Sequence, residues 1–188
     1  MVNMLKILVA VVVVLIIVGI GMLGKKILQA LIFRTAKTSN EGFWMECLTG
    51  LLVIVVAVVN YVKKDPNANA IMWIGVLIFF IGGTIQLIAR KQLYDDKTFE
   101  ERLHSGFALA QTGLYSKIRH PSKTALLLMM IGFCIALGSW WALGLLVILF
   151  FPSMLYKISQ EERELLDQFG ERWLTYASDS KRIIPGIL

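Results

Sequence analysis

The chain has 188 residues, 57% of them hydrophobic and 17% charged, with a mean hydropathy of +0.69 and a formal net charge of +6. So apolar a composition excludes an ordinary soluble domain, and 188 residues leave no length for a separate one beside the apolar runs. In a membrane protein a basic excess flanks the spans, sets their orientation and meets anionic headgroups, so nucleic acid is not an expected partner.

The first apolar run, about Met4 to Leu23, is interrupted only by Lys6 and is long enough to span a bilayer. A weak positive n-region and the lack of a small-x-small site before Lys25-Lys26 favour a retained helix over a cleaved signal peptide. Residues 27–33 are apolar but too short to cross, which suggests an interfacial segment. The second span runs from about Phe43 to Val62 and carries Glu46 near its start, where a carboxylate costs less than at the bilayer centre. The third, about Ala70 to Ala89, holds Gly82-Gly83, which permit close helix approach or a bend.

Residues 92–123 form the longest polar connection, with Asp95, Asp96, Glu100 and Glu101 ahead of the polar cluster Gly113-Leu114-Tyr115-Ser116-Lys117-Ile118-Arg119-His120-Pro121. The spacing of Phe99, Leu103, Phe107 and Leu114 predicts an amphipathic helix leading into that cluster. From Thr124 to Tyr156 no side chain is charged, a stretch too long for one span and short for two. A tight hairpin turning at Gly138-Ser139-Trp140-Trp141 fits it, with the indoles in the headgroup layer. The remainder, Lys157 to Leu188, is charged and places Leu165, Leu166, Phe169 and Trp173 at helical spacing, as an amphipathic segment on the membrane face would.

The expected fold is therefore an all-α integral membrane protein with five transmembrane helices, the last two a tight hairpin, followed by an amphipathic cytosolic C-terminal helix. Residues 1–188 form a single membrane domain, with a three-helix N-terminal part at 1–91 and the polar motifs and hairpin at 92–188. With the N-terminus outside, sixteen of the 19 lysines and arginines fall on the inner side and three, Lys6, Lys63 and Lys64, on the outer. That bias places the C-terminus in the cytoplasm, with the polar cluster and the charged tail on the same face.

Several chemistries lack their signatures. Cys47 and Cys134 lie in predicted spans as small apolar residues, and His104 and His120 have no HxxxH or CxxC context, so neither a disulfide nor a metal is expected. No GxGxxG follows a strand, no GKS/T occurs, and Ser139 and Ser153 lack a GxSxG setting. What remains is Tyr115, Arg119 and His120 on one side and Glu161-Glu162 on the other. Surface roles would account for some of them: Lys117 and Arg119 as headgroup anchors, and Lys157 with Glu161 as a solvated i,i+4 pair contributing a few tenths of a kcal/mol. The functional reading is that the two groups close over a polar, partly cationic cytosolic cofactor.

The pattern Gly113-Leu114-Tyr115-x-x-Ile118-Arg119-His120-Pro121, an apolar hairpin, Glu161-Glu162-x-x-Leu165-x-x-x-Phe169-Gly170-x-x-Trp173-x-x-Tyr176 and Arg182-x-x-Pro185 resembles the isoprenylcysteine carboxyl methyltransferase family. The wider group includes membrane phospholipid N-methyltransferases. The resemblance covers about residues 107–187. It implies S-adenosylmethionine held at the cytosolic face, with S-adenosylhomocysteine as product, and a lipid or prenylated small-molecule or peptide acceptor entering from the bilayer. Carried over by position, it implies cofactor contacts at Leu109, Ala110, Tyr115, His120, Pro121, Glu161 and Glu162, with Lys157 touching the acceptor and no metal. Methyl transfer to the carboxylate of a prenylcysteine-like acceptor leads, with phospholipid-amine N-methylation as the alternative. A sterol-reductase-like membrane reductase and a non-enzymatic membrane module rank below both. The chain departs from the family pattern at Lys123 and Ala125, where tyrosine and glycine are usual, and at Lys157, where arginine is.

Overall fold

The computed structural model describes residues 40–63, 70–95 and 113–183. The first expected span, the interfacial stretch 27–33, the stretch from Phe99 to Phe107, and Leu109, Ala110 and Pro185 lie outside these residues. The described chain is helical, with one isolated parallel bridge between Ile118 and Lys181 in place of any strand. Among the described residues three helices are long and apolar enough to cross a membrane: Gly42–Lys63, Ala70–Gln92 and Trp140–Phe169.

The first helix, α1 (Asn40–Lys63), buries Gly42, Glu46, Gly50, Val53 and Ala57, spaced three or four apart. Its opposite faces expose Trp44, Leu48, Leu51, Leu52, Val55 and Val59, as a lipid-facing surface requires. Helix α2 (Ala70–Asp95) packs along α3 (Pro121–Ala136) through small residues. A Cβ at Gly82 would come within 2.8 Å of the Met129 backbone nitrogen, and Gly75 and Gly132 meet each other's backbone just as closely. The helices therefore approach backbone to backbone, the arrangement that lets helices associate where hydrocarbon offers no hydrophobic drive. Of the glycine pair singled out in the sequence, Gly82 makes this contact and Gly83 faces open space.

Helix α3 has 16 residues, a length of ~24 Å, shorter than the ~30 Å hydrocarbon core. Pro121 opens it at a position where a missing N–H costs nothing. It ends at Gly138, whose φ of 63° allows the Ser139 N–H to reach back to the Cys134 carbonyl at 3.0 Å. Ser139 then caps the next helix through its hydroxyl, which accepts from Ala142 N–H.

That helix, α4 (Trp140–Phe169), has 30 residues, ~45 Å at the α-helical rise. Pro152 cannot donate into the helical ladder, and in the turn before it Leu146–Phe150 widen to π geometry, with the Phe151 N–H bonded to the Leu146 carbonyl. The change from uncharged to charged sequence at Tyr156-Lys157 leaves no mark on the helix, which runs through it to Gly170. There φ is 50° and the chain turns into α5 (Glu171–Asp179). The helical spacing from Leu165 to Trp173 thus spans two helices, folded so that Trp173 and Tyr176 pack on Leu165 and Phe169.

The beginning of α3 lies beside Glu161 and Glu162 of α4, while its end joins Trp140, so the two helices run antiparallel. The main core forms where they meet α1, from Val53, Ala57, Phe133, Leu146, Phe150, Met154 and Ile158. A hydrogen bond between Thr49 and Ser153 at 2.8 Å ties α1 to α4.

Candidate active site

The segment before α3 is fixed by backbone and side-chain bonds from four directions. Its start is a 3₁₀ turn, Gly113–Ser116, held to the end of α2 by the Leu114 N–H donating to Gln92 Oε1 at 2.9 Å. From α5, the Tyr176 hydroxyl donates to the Tyr115 carbonyl at 2.7 Å. Burial pushes the Tyr176 hydroxyl pKa up to about 12, so it remains a donor at neutral pH. From the C-terminal segment, Arg119 N–H donates to Lys181 O at 2.7 Å, Lys181 N–H to Lys117 O at 3.0 Å and His120 N–H to Arg182 O at 3.1 Å. At the head of α3, Ser122 hydrogen-bonds the Gln86 amide at 3.0 Å, and Thr124 Oγ1 donates to Ile183 O at 2.8 Å.

His120 occupies the N-cap position of α3 without using its side chain as a cap. The ring is thereby released toward α4, where successive residues Glu161 and Glu162 meet it. Nδ1 lies 3.8 Å from Glu161 Oε2, and Nε2 lies 3.5 Å from Glu162 Oε1. At that separation Nε2 makes no hydrogen bond, and it is buried.

The two glutamates differ in how far the protein satisfies them. Glu162 accepts from Arg119 Nε at 3.0 Å and pairs with Arg182 Nη2 at 2.6 Å, so both of its oxygens are engaged by guanidinium groups. Arg119 also donates from Nη1 to the Ala177 and Ser180 carbonyls, each at 2.6 Å. It is the joint between α4, α5 and the C-terminal segment, where the sequence offered it as a headgroup anchor or as one of the residues closing over a cofactor. Among the described residues Glu161 has no such partner: its oxygens lie 3.7 Å from Lys123 Nζ, 4.0 Å from Lys157 Nζ and 3.8 Å from the His120 ring, and its carboxylate makes no hydrogen bond to them. Its side chain is 32% exposed, against 10% for Glu162.

Lys157 is not the solvated partner that the i,i+4 spacing allows. Its side chain is 5% exposed, packed beside Gly42 of α1, and its ammonium has Glu161 at 4.0 Å as its ion-pair partner. A buried ammonium at that distance from its counter-charge is poorly compensated and suited to receiving a further anion. Lys123 instead pairs with Glu46, at 2.8 Å and 2.6 Å from its two oxygens.

The structure thus brings together four of the sequence-derived residues, His120, Pro121, Glu161 and Glu162, with Lys157 at their edge. Tyr115 is buried against Ala89 and Leu114, contributing its backbone carbonyl to the Tyr176 bond. Sequence reasoning passed over Glu46 and Lys123 as members; Arg119 stood in the polar cluster and Arg182 in the pattern that carries the resemblance, but neither was expected to hold Glu162. Their pairings join positions as far apart as 77 residues, so spacing carries no trace of them. The departure from the family pattern at Lys123 was the one available signal. Among the described residues no group of three or more His, Cys, Asp or Glu side chains is placed to hold a metal ion.

A protein-family model described as phospholipid methyltransferase matches residues 70–172. Glu46 and Arg182 lie outside that stretch. A search of curated proteins finds no match.

Proposed function

We propose, on the premise that this chain belongs to the phospholipid methyltransferase family, which is related to the isoprenylcysteine carboxyl methyltransferases, that it is an S-adenosylmethionine-dependent enzyme methylating a lipidic acceptor at the cytoplasmic membrane face. The coarser part of this, a membrane methyltransferase, follows from the family and the three membrane-length helices. The observation that carries the finer part is the unequal satisfaction of the charged cluster. Both oxygens of Glu162 are engaged by arginines, whereas among the described residues neither the Glu161 carboxylate nor His120 Nε2 makes a hydrogen bond.

In this reading His120-Pro121 and Tyr115 form one wall, and Glu161 receives the amino or hydroxyl donors of the cofactor. Leu109 and Ala110 contribute backbone, and Glu162 acts through Arg119 and Arg182 to hold the wall in place. When bound, S-adenosylmethionine supplies a methyl group on a sulfonium centre. Transfer to an acceptor carboxylate destroys two opposite charges, so the chain's task is to exclude water and align the reactants; no proton need move. Lys157 meets the acceptor carboxylate. Among the described residues the charged cluster contains four cations (Arg119, Lys123, Lys157, Arg182) and three carboxylates (Glu46, Glu161, Glu162), and the excess cation favours an anionic acceptor. This supports O-methylation of a prenylcysteine-like carboxylate.

The family description favours a second reading, N-methylation of a phospholipid amine. That reaction needs a base. Both nitrogens of His120 face carboxylates, so the role would fall to Glu161, which has lone pairs to spare. Both readings share the topology of five spans with a tight hairpin, the N-terminus outside and the C-terminus cytoplasmic. The deciding experiment is transfer of labelled methyl from S-adenosylmethionine to prenylated cysteine analogues and lipid extracts by the purified full chain. Base-labile label identifies an ester and supports O-methylation, base-stable label in phospholipid supports N-methylation, and no transfer to either class contradicts both.

A further inference from the structure

Glu46 reaches the cluster from α1, which lies ahead of the family-matched stretch, and the chemistry above gives it no task. We propose that Glu46 is a positioning residue for the cofactor: by holding Lys123 it keeps the carboxylate of Glu161 open to a ligand. The inference rests on the reading of Glu161 as a cofactor contact.

One ammonium, that of Lys123, stands between two carboxylates. It makes short bonds to both oxygens of Glu46 and stays 3.7 Å from Glu161 Oε1. Direct ammonium–carboxylate bonds are about 2.7–2.9 Å long, so a shift of roughly 1 Å would convert that separation into a bond. A lysine stem has the rotatable bonds to make such a shift. What opposes it is Glu46, itself buried at 8% exposure on the inner face of α1, where it has Lys123 as its ion-pair partner. Without the Glu46 charge, the anion nearest to Lys123 is Glu161. A buried ammonium left unpaired is driven strongly to the nearest counter-charge, because water does not compensate it there. The other nitrogen groups facing Glu161, those of Lys157 and the His120 ring, lie at 4.0 Å and 3.8 Å, farther than Lys123.

The consequence is a division of labour among three carboxylates. Glu162 is committed to the arginines that bind the fold together, and Glu46 is committed to Lys123. Glu161 is left uncommitted, and only because Glu46 is present. The device also joins α1 to the site, so that part of the chain ahead of the family-matched stretch sets the cofactor affinity.

The test is binding of S-adenosylhomocysteine to the full chain in lipid nanodiscs, by calorimetry, for wild type, Glu46→Gln and the double variant Glu46→Gln/Lys123→Gln. Each protein is also melted thermally, to separate affinity from stability. Expected is a loss of at least tenfold in affinity for Glu46→Gln, with restoration to within about threefold of wild type in the double variant. In turnover the Glu46→Gln loss is expected in KM for S-adenosylmethionine, with the acceptor KM unchanged. A purely structural tie between α1 and α3 is broken in the double variant too. If binding stays weak there, or if Glu46→Gln binds as wild type does, the proposal is overturned. Should Glu46→Gln not fold, Glu46→Asp takes its place: the shorter carboxylate loosens its hold on Lys123, and a loss of about threefold, reversed by Lys123→Gln, is expected, whereas unchanged affinity overturns the idea. Wild type that binds no S-adenosylhomocysteine removes the cofactor reading itself, and this inference with it.

Discussion

At the scale of single residues, adjacent glutamates on one helix carry different duties, and substitution separates them. Glu162→Gln leaves Arg119 and Arg182 facing a neutral amide, and is expected to cost about 2–3 kcal/mol of stability, less than the ~3–5 kcal/mol for breaking a fully buried pair because Arg182 is 43% exposed. Glu161→Gln removes a charge that makes no direct bond, and is expected to leave the melting temperature within about 2 °C of wild type while lowering affinity for S-adenosylhomocysteine. Thermal melting and calorimetry on the same preparations check both; equal destabilisation by the two variants would contradict the assignment. Tyr176 gives a pH test of the C-terminal clamp. Its folded-state pKa of about 12 lies above the ~10 of an unfolded chain, so its contribution is complete below pH ~10 and is lost as the pH rises toward 12. Stability of wild type is therefore expected to fall more steeply over that window than stability of Tyr176→Phe, as followed by tryptophan fluorescence.

Why some of these residues could be read from sequence and others could not is a matter of range. His120-Pro121 and Glu161-Glu162 stand out because each is a local run of polar side chains beside an apolar stretch. Whether Glu162 or Glu161 meets a ligand depends on Arg119, 43 residues away, and on Arg182, and no local pattern contains that information. Glu46, at the start of a span, looked like a carboxylate placed where solvation is cheap; its partner in space is 77 residues further along.

At the scale of elements, the site depends on how closely α2 and α3 approach. The glycines of the two helices predict an asymmetry between a position inside the contact and one outside it. Gly132→Val places a side chain against the Phe79 backbone nitrogen and the Gly75 carbonyl, and is expected to destabilise by about 1–3 kcal/mol and to weaken cofactor binding by displacing the start of α3. Gly83→Ala meets nothing within 4 Å and is expected to be neutral or to stabilise by up to about 1 kcal/mol, since alanine is the better helix former. Denaturant or thermal unfolding in detergent measures both, and a harmless Gly132→Val would show that the close contact does not matter. The second and third spans were legible to within a few residues because an uninterrupted apolar run has one reading in a bilayer. Two features of α4 were not. Its continuation past Lys157 was hidden because composition changes there while backbone preference does not, and its π turn arises from a single proline inside a long helix.

At the scale of the whole molecule, the polar cluster and the charged tail converge as the distribution of basic residues implied. They do so through backbone pairing between residues 117–120 and 181–182 and through Arg119, which staples α5 to α4. The apolar outer faces of α1 and α2, carrying Trp44, Trp73, Leu77 and Phe80, are those of helices standing in lipid, with the ionic cluster at one end of them. Under the proposed function, a site so arranged would join a water-borne cofactor to an acceptor dissolved in the bilayer. Calorimetric titration of the purified full chain with S-adenosylhomocysteine tests it most directly. Saturable binding at one site per chain, weakened at least tenfold by His120→Ala in protein that still melts cooperatively, is the predicted result. Absence of binding to folded wild type, or equal affinity in the His120→Ala variant, would contradict it.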